Sequence, residues 1–211
     1  VNEDTGNLIW HEDAQNQVGH FRFKDMNGDG KINSNDRTII GNPHPDVTGG
    51  VNLGFGYKNW DLSTYLYYSI GNDLYAHYEL YTNWGQLANV FTYERVENAW
   101  HPENNPNGTL PMFVRGDTHA ETNVSHSNYI QDGSYLRMQT LTLGYSLPQK
   151  WMHKIKMCRS RFYAQMSNVF TITNYEGLDP EVYQGSDRSR GIDYGSYGMP
   201  RQYLFGVNIE F

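Results

Sequence analysis

The chain has 211 residues, a formal net charge of −7 and a mean hydropathy of −0.71, yet 15 % of its residues are aromatic, with 17 Tyr and 5 Trp. The acidic balance excludes a nucleic-acid partner, which needs clustered Lys and Arg against phosphate, and the single cysteine, Cys158, excludes an internal disulfide. Many amphipathic rings with few long apolar runs leave two classes: a β-rich binding protein with a Tyr-covered surface, or a membrane β-barrel whose polar lumen face dilutes its apolar one.

No stretch approaches the roughly 18 consecutive apolar residues of a membrane helix. No signal peptide precedes Val1, which reads as a mature piece or a fragment of something longer. Residues 1–24 are polar and end in a short alternating run, "VGHFRF". The Asp-rich stretch "DMNGDGKINSND", 25–36, follows, and then "RTIIGNPHPDVTGG", which mixes a brief apolar run with Gly and Pro. We read 1–50 as an extracellular loop region and 51–211 as a region of strands.

In "VNLGFGYKNWDLSTYLYYSI", two alternating runs flank a tight turn at Lys58 and Asn59. Val51, Leu53, Phe55 and Tyr57 share one face; Leu62, Leu66, Tyr68 and Ile70 continue it on the return. Period-two alternation around a short turn predicts a hairpin with strands at 51–57 and 61–70. Residues 71–133 show no sustained period, with a helical segment allowed around 87–100. A loop this long is improbable in a compact soluble domain and ordinary outside a membrane barrel. A strand at 134–147 sets Leu141, Leu143, Tyr145 and Leu147 against Thr140, Thr142, Gly144 and Ser146. The basic run "KWMHKIKMCRSR", 150–161, reads as a solvated turn. A strand at 160–170 puts Phe162, Ala164, Met166 and Phe170 on one face with Asn168. A second long loop, 171–200, leads to a last strand, 201–211, with Tyr203, Phe205, Val207, Ile209 and Phe211 on one face.

The connections therefore alternate: short at 58–60, long at 71–133, short at 148–159, long at 171–200. Outer-membrane barrels have this asymmetry of short periplasmic turns and long extracellular loops. A soluble antiparallel sandwich also alternates along its strands but does not predict it. The expected fold is all-β, made of antiparallel transmembrane β-barrel strands.

The Asp-rich stretch has the spacing of a calcium loop. Calcium takes about seven hard oxygens, and positions 1, 3 and 5 converge. Asp25, Asn27 and Asp29 hold those positions, and Gly30 stands at the sharp turn. Lys31 would offer its carbonyl, Asn33 would bind directly or through water, and Asp36 closes position 12, where Glu is preferred. The alternative is a metal-free turn, since Asp and Asn bond neighbouring backbone and Gly permits positive φ. Either way the expectation is a structural calcium site or a turn that orders a loop, with no catalysis. "RGD" at 115–117 arises easily by chance. The tripeptides at Asn107 and Asn123 match glycosylation sequons, a short pattern that carries little weight alone. The eight His lack metal-ligand spacing. No nucleophile elbow or phosphate loop is present, so no enzyme is expected. Trp84, Phe91, Tyr93, Trp100, Tyr175, Tyr183, Tyr194 and Tyr197 lie outside the strands, where they would stack on a ligand, dock a partner or pack the loops.

Four motifs in fixed order, "FKDMNGDGKINSNDRTIIGNPHPDVTGGVNLGFGYKNWDLS", "DGSYLRMQTLTLGYSLP", "NVFTITNYEGLDPEV" and "YLFGVNIEF", resemble SusC/RagA-type TonB-linked outer-membrane proteins from about residue 19 to 211. The resemblance implies the C-terminal portion of a plugged barrel of about 22 strands, in the outer membrane of a Bacteroidetes-like bacterium. It implies TonB-dependent import of oligosaccharides or peptides with a SusD-like surface lipoprotein. TonB would be engaged through an N-terminal region that this sequence does not contain. Phe211 matches the terminal aromatic by which such barrels are assembled. The competing expectation is a secreted, soluble β-sandwich that binds carbohydrate and carries a structural calcium site, and behind it a glycan hydrolase domain.

Overall fold

A computed structural model describes residues 10–11, 19–82, 91–113, 125–154, 157–182 and 187–211. Two compact units emerge: residues 1–41 with 76–130, and residues 42–75 with 131–211. The division expected from the sequence, at 50/51, falls inside the strand Val47–Tyr57.

The second unit is built on a five-stranded antiparallel sheet. Its strands are β1 (Val47–Tyr57), β2 (Trp60–Ile70), β3 (Tyr135–Ser146), β4 (Arg159–Thr173) and β5 (Gln202–Glu210), paired in chain order. All five lie where the alternation pointed. β1 begins four residues before 51 and β4 runs three past 170. The turn between β1 and β2 is two residues long, with Lys58 at φ 53°, the positive φ that lets the turn twist match that of the flanking strands.

Register places the apolar residues in continuous rows. Tyr57, Trp60, Tyr145, Phe162 and Val207 stand opposite one another across all five strands. The next rows are Phe55, Leu62, Leu143, Ala164, Phe205 and Leu53, Thr64, Leu141, Met166, Tyr203. Directly opposite residues share a face, so this face is apolar from edge to edge. It is also open: Phe55 is 64 %, Tyr203 66 % and Phe205 79 % exposed. The other face carries rows such as Gly56, Asp61, Gly144, Tyr163, Gly206 and Gly54, Ser63, Thr142, Gln165, Leu204.

The ladder is irregular at one level of the sheet, where Asn168 (φ 53°) and Val169 of β4 are unpaired and β3 carries an extra residue. Thr140 pairs with Tyr65, but Met138 pairs with Leu66, which leaves Gln139 as an additional residue in β3. A β-bulge of this kind shifts every later side chain to the opposite face. Counting by twos from Leu141 would place Arg137 on the apolar face. The bulge instead puts Leu136 opposite Tyr68 and Ile172 there, and Arg137 opposite Tyr67 and Thr171 on the polar one.

The connection at 147–158 is not a plain turn. It holds a short helix, α1 (Gln149–Lys154), with Met152 buried and Trp151 exposed. Burial in this unit concentrates at the end with long connections, at Leu74, Tyr135, Arg137, Tyr175, Asp179 and Asp193.

The first unit has its own small core of Ile32, Ala76, Leu80, Ala99 and Tyr129. Its longest described helix, Tyr93–Asn98, is capped by the Thr92 hydroxyl and lies within the segment allowed at 87–100. Arg95 of this helix is buried, donates to the Pro111 carbonyl at 2.6 Å and lies over the Phe113 ring. Trp100 packs so closely on Gly19 (φ 91°) that a Cβ there would fall 2.5 Å from its ring.

Candidate functional site

The stretch 25–36 folds into one closed loop. The Asp25 carboxylate accepts from Gly28 N at 2.7 Å and Gly30 N at 2.8 Å. Asn27 Oδ1 accepts from Asp29 N, and Asp29 Oδ1 from Lys31 N. Asn33 caps a 3₁₀ turn, Ser34–Asp36, accepting from Asn35 N. Asp36 reaches back across the loop, accepting from Asn33 N at 2.7 Å and Met26 N at 2.8 Å. Those donors, Asn33 first and Met26 second, hold its carboxyl below the usual carboxylate range. Gly28 and Gly30 take φ values of 75° and 83°, with nothing within 4 Å of where a Cβ would stand.

All six sequence-selected residues are thus in one loop; the side-chain oxygens of Asp25, Asn27, Asp29, Asn33 and Asp36 accept from backbone N–H groups, and Lys31 takes part through its own N–H. Among the described residues, no three His, Cys, Asp or Glu side chains converge as a metal-holding group. The donor set is nonetheless all hard oxygen. Each carboxylate oxygen that accepts one N–H keeps a second lone pair, and that chemistry fits calcium.

The polar face of the sheet carries an ion pair. Arg161 donates from Nε to Asp61 Oδ1 at 3.0 Å and from Nη2 to Asp61 Oδ2 at 2.5 Å. The partners stand on β4 and β2, so the pair bridges over β3. It can do so because the residue between them is Gly144. Tyr163 lies over Gly206 and Tyr65 over Gly50 on the same face in the same manner. Arg159, Arg161, Asn208, Ile209 and Glu210 line an open cavity of about 340 Å³ near the turn end.

At the opposite end, two buried carboxylates organise the connection after β4. Asp179 accepts from Arg137 Nη2, Glu181 N and Met199 N. Arg137 also donates to Thr171 Oγ1 and to Glu181. Asp193, 1 % exposed, accepts from the Tyr175 hydroxyl at 2.7 Å and from Gly195 N and Ser196 N. Asp132 makes a comparable turn, and its bonds from Ser134 lower its carboxyl pKa. Sequence reasoning missed this network. The available signal was Asp followed two residues later by a turn residue, as in "DYGS".

Of the loop aromatics, Tyr194 and Tyr197 are exposed, Phe91 packs edge-on against Phe113, Trp100 covers Gly19, and Tyr175 is buried. Trp84, Tyr183, the 115–117 tripeptide and Asn123 lie outside the described residues.

No protein-family profile matches the chain. It is 36 % identical over 195 residues to TonB-dependent receptor P3 of Formosa agariphila, covering 90 % of this chain and 19 % of that protein. It is 33 % identical over 191 residues to TonB-dependent receptor SusC of Bacteroides thetaiotaomicron, covering 90 % of this chain and 17 % of that one. The chain therefore spans about a fifth of the length of these curated relatives. Among solved structures, the RagAB peptide importer in its closed-closed state matches with a TM-score of 0.65 at 23 % identity, over 82 % of this chain and 18 % of that one. The open-open state gives 0.62 at 24 % identity, over 79 % and 17 %. That likeness establishes the fold: antiparallel strands of a large outer-membrane barrel.

Proposed function

This chain is homologous to SusC-type TonB-dependent receptors over nine-tenths of its length, and from that premise we propose that it forms the C-terminal strands of an outer-membrane nutrient importer. The observation that carries the reading is the pair of unlike faces on the five-stranded sheet. One face is apolar across every strand and open, as lipid contact requires. The other is lined by Gly, Ser, Thr, Gln and Tyr, as a water-filled lumen requires. A soluble sandwich would bury its apolar face against a second sheet, and the described residues form none there.

The substrate is an oligosaccharide or a peptide, taken up together with a SusD-like surface lipoprotein. Transport proceeds by binding followed by TonB-driven movement of a plug, and TonB is contacted through residues outside these 211. The polar wall contributes hydrogen-bonding groups to the conduit and performs no covalent chemistry on the cargo. The 25–36 loop binds one calcium ion through Asp25, Asn27, Asp29, Lys31, Asn33 and Asp36, and the ion stiffens the loop.

Three measurements test the reading. The protein should sediment with outer membranes and need detergent for extraction, and affinity purification should retain a surface lipoprotein. Loss of the importer should abolish growth on one oligosaccharide or peptide source. A protein that stays monodisperse in buffer without detergent, or that hydrolyses a glycan on its own, overturns the proposal.

A further inference from the structure

Both short connections of the sheet, at 58–59 and 147–158, lie at the same end. They carry Lys58, Lys150, Lys154 and Lys156, and neither contains an Asp or Glu. The connection 174–201 at the opposite end contains five acidic residues and three arginines, a net negative balance. The charge difference between the two ends is therefore built into the connections.

The lysine-bearing end is also the aromatic end. Tyr57, Trp60, Tyr145 and Phe162 form the last complete row of the apolar face. Tyr57 is 70 % and Trp151 62 % exposed. The Lys58 ammonium stands 5.2 Å from the centroid of the Tyr57 ring, so its stem lies beside the apolar face. Asn59 and Ser146 exchange two hydrogen bonds, Nδ2–H to carbonyl at 2.7 Å and N–H to carbonyl at 2.8 Å. These bonds tie the first turn to the root of the second connection, four residues before Lys150. Lys150 is exposed beside Trp151 on α1.

We infer that this rim is a binding site for anionic phospholipid, in which Lys58 and Lys150 hold the headgroup phosphate while Tyr57, Trp60 and Trp151 flank its acyl chains. The inference rests on the barrel reading above. Charge complementarity favours an anion, because flexible ammonium groups stand here with no carboxylate in either connection. Continuity with the lipid-facing rows favours a lipid over a free ion. Aromatic rings at the edge of an apolar band sit at headgroup level, and lysines at that level attract anionic lipid.

Native mass spectrometry of the detergent-purified full-length protein, titrated with phosphatidylglycerol and separately with phosphatidylcholine, reads the site. The Lys58→Gln/Lys150→Gln double variant is expected to lose about thirtyfold in affinity for phosphatidylglycerol, and Lys150→Gln alone about fivefold. Phosphatidylcholine, whose choline ammonium offsets its phosphate charge, should bind more weakly to the wild type and lose no more than about twofold in either variant. The single variant leaves the β1–β2 turn untouched, and heat-shifted gel mobility checks that each barrel is intact. Unchanged phosphatidylglycerol affinity in folded variants overturns the inference. So does equal wild-type affinity for the two lipids, or displacement of the lipid by millimolar inorganic phosphate. Failure of the barrel reading shows itself differently, as a wild-type protein that needs no detergent.

Discussion

The Arg161 guanidinium grips the Asp61 carboxylate with two hydrogen bonds across an intervening strand, passing over Gly144. A Cβ on Gly144 would fall 2.4 Å from Arg161 Nη2 and from Asp61 Oδ1. The atoms in the way are the far ends of two side chains, so they can move aside. Both partners are partly exposed, and such a pair contributes at most about 1 kcal/mol. Gly144→Ala is therefore expected to cost about 0.5–1 kcal/mol in urea unfolding from lipid. In an Asp61→Asn background that cost should shrink. An undiminished cost there would show that the glycine serves something other than the bridge.

Arg137 is the more demanding cation. Its side chain is 3 % exposed and its partner Asp179 8 %. Arg137→Leu leaves a buried carboxylate with only its two backbone donors, a change of about 3 kcal/mol or more. Limited proteolysis should then cut within 174–182, where the wild type resists. Equal protection in both proteins would remove Arg137 from this role.

Tyr175→Phe removes one of three donors to Asp193. The expected cost is about 1–2 kcal/mol. It should be read in hydrogen exchange as faster exchange at Gly195 and Ser196, with β1 to β5 unaffected.

The calcium proposal makes a signed pH prediction. Asp36 is held below its ordinary pKa by folding, so its contribution to loop order is present above the ordinary carboxylate value near pH 4. That contribution is lost as pH falls through the lowered value. Amide protection at Met26 and Asn33 should decline below about pH 4 and not before. Calorimetry on chelator-treated protein should show calcium binding, weakened by Asp36→Asn and strengthened several-fold by Asp36→Glu, which restores bidentate reach. No heat at millimolar calcium would falsify the metal.

Lipid-facing rows differ in depth. Tyr145 forms the rim row at the lysine-bearing end and Leu141 stands two rows further in. Leu141→Arg should cost about 2–4 kcal/mol and Tyr145→Arg no more than about 1 kcal/mol. Equal costs would contradict a bilayer lying across this face.

The strands were legible because side chains in a sheet alternate and one environment is apolar, so Phe55, Leu143 and Phe205 announce their face. The Asp-rich loop was legible because its spacing is local. What escaped was set by distant partners. Nothing around Gln139 marks a bulge, since its requirement comes from Asp179 and Glu181, some forty residues onward. Gly144 looked like a neutral member of the polar row, and only the register of β2 and β4 shows what crosses it. The basic run 150–161 reads as a turn because its helix is short and, among its described side chains, buries Met152 alone.

Gln139 sets the phase of everything between it and the end of β3. Draw that one residue into the ladder and the alternation runs through it: Leu136 turns toward water and Arg137 toward hydrocarbon, whereas deleting it closes the bulge and leaves both on their present faces. A deletion of one paired residue in this strand is then equivalent to inverting a wall panel, whereas the same deletion in a long connection changes only slack. Length tolerance in this chain should accordingly be discontinuous. The long connections should absorb insertions and losses freely, while β3 should accept the loss of a single residue only at Gln139.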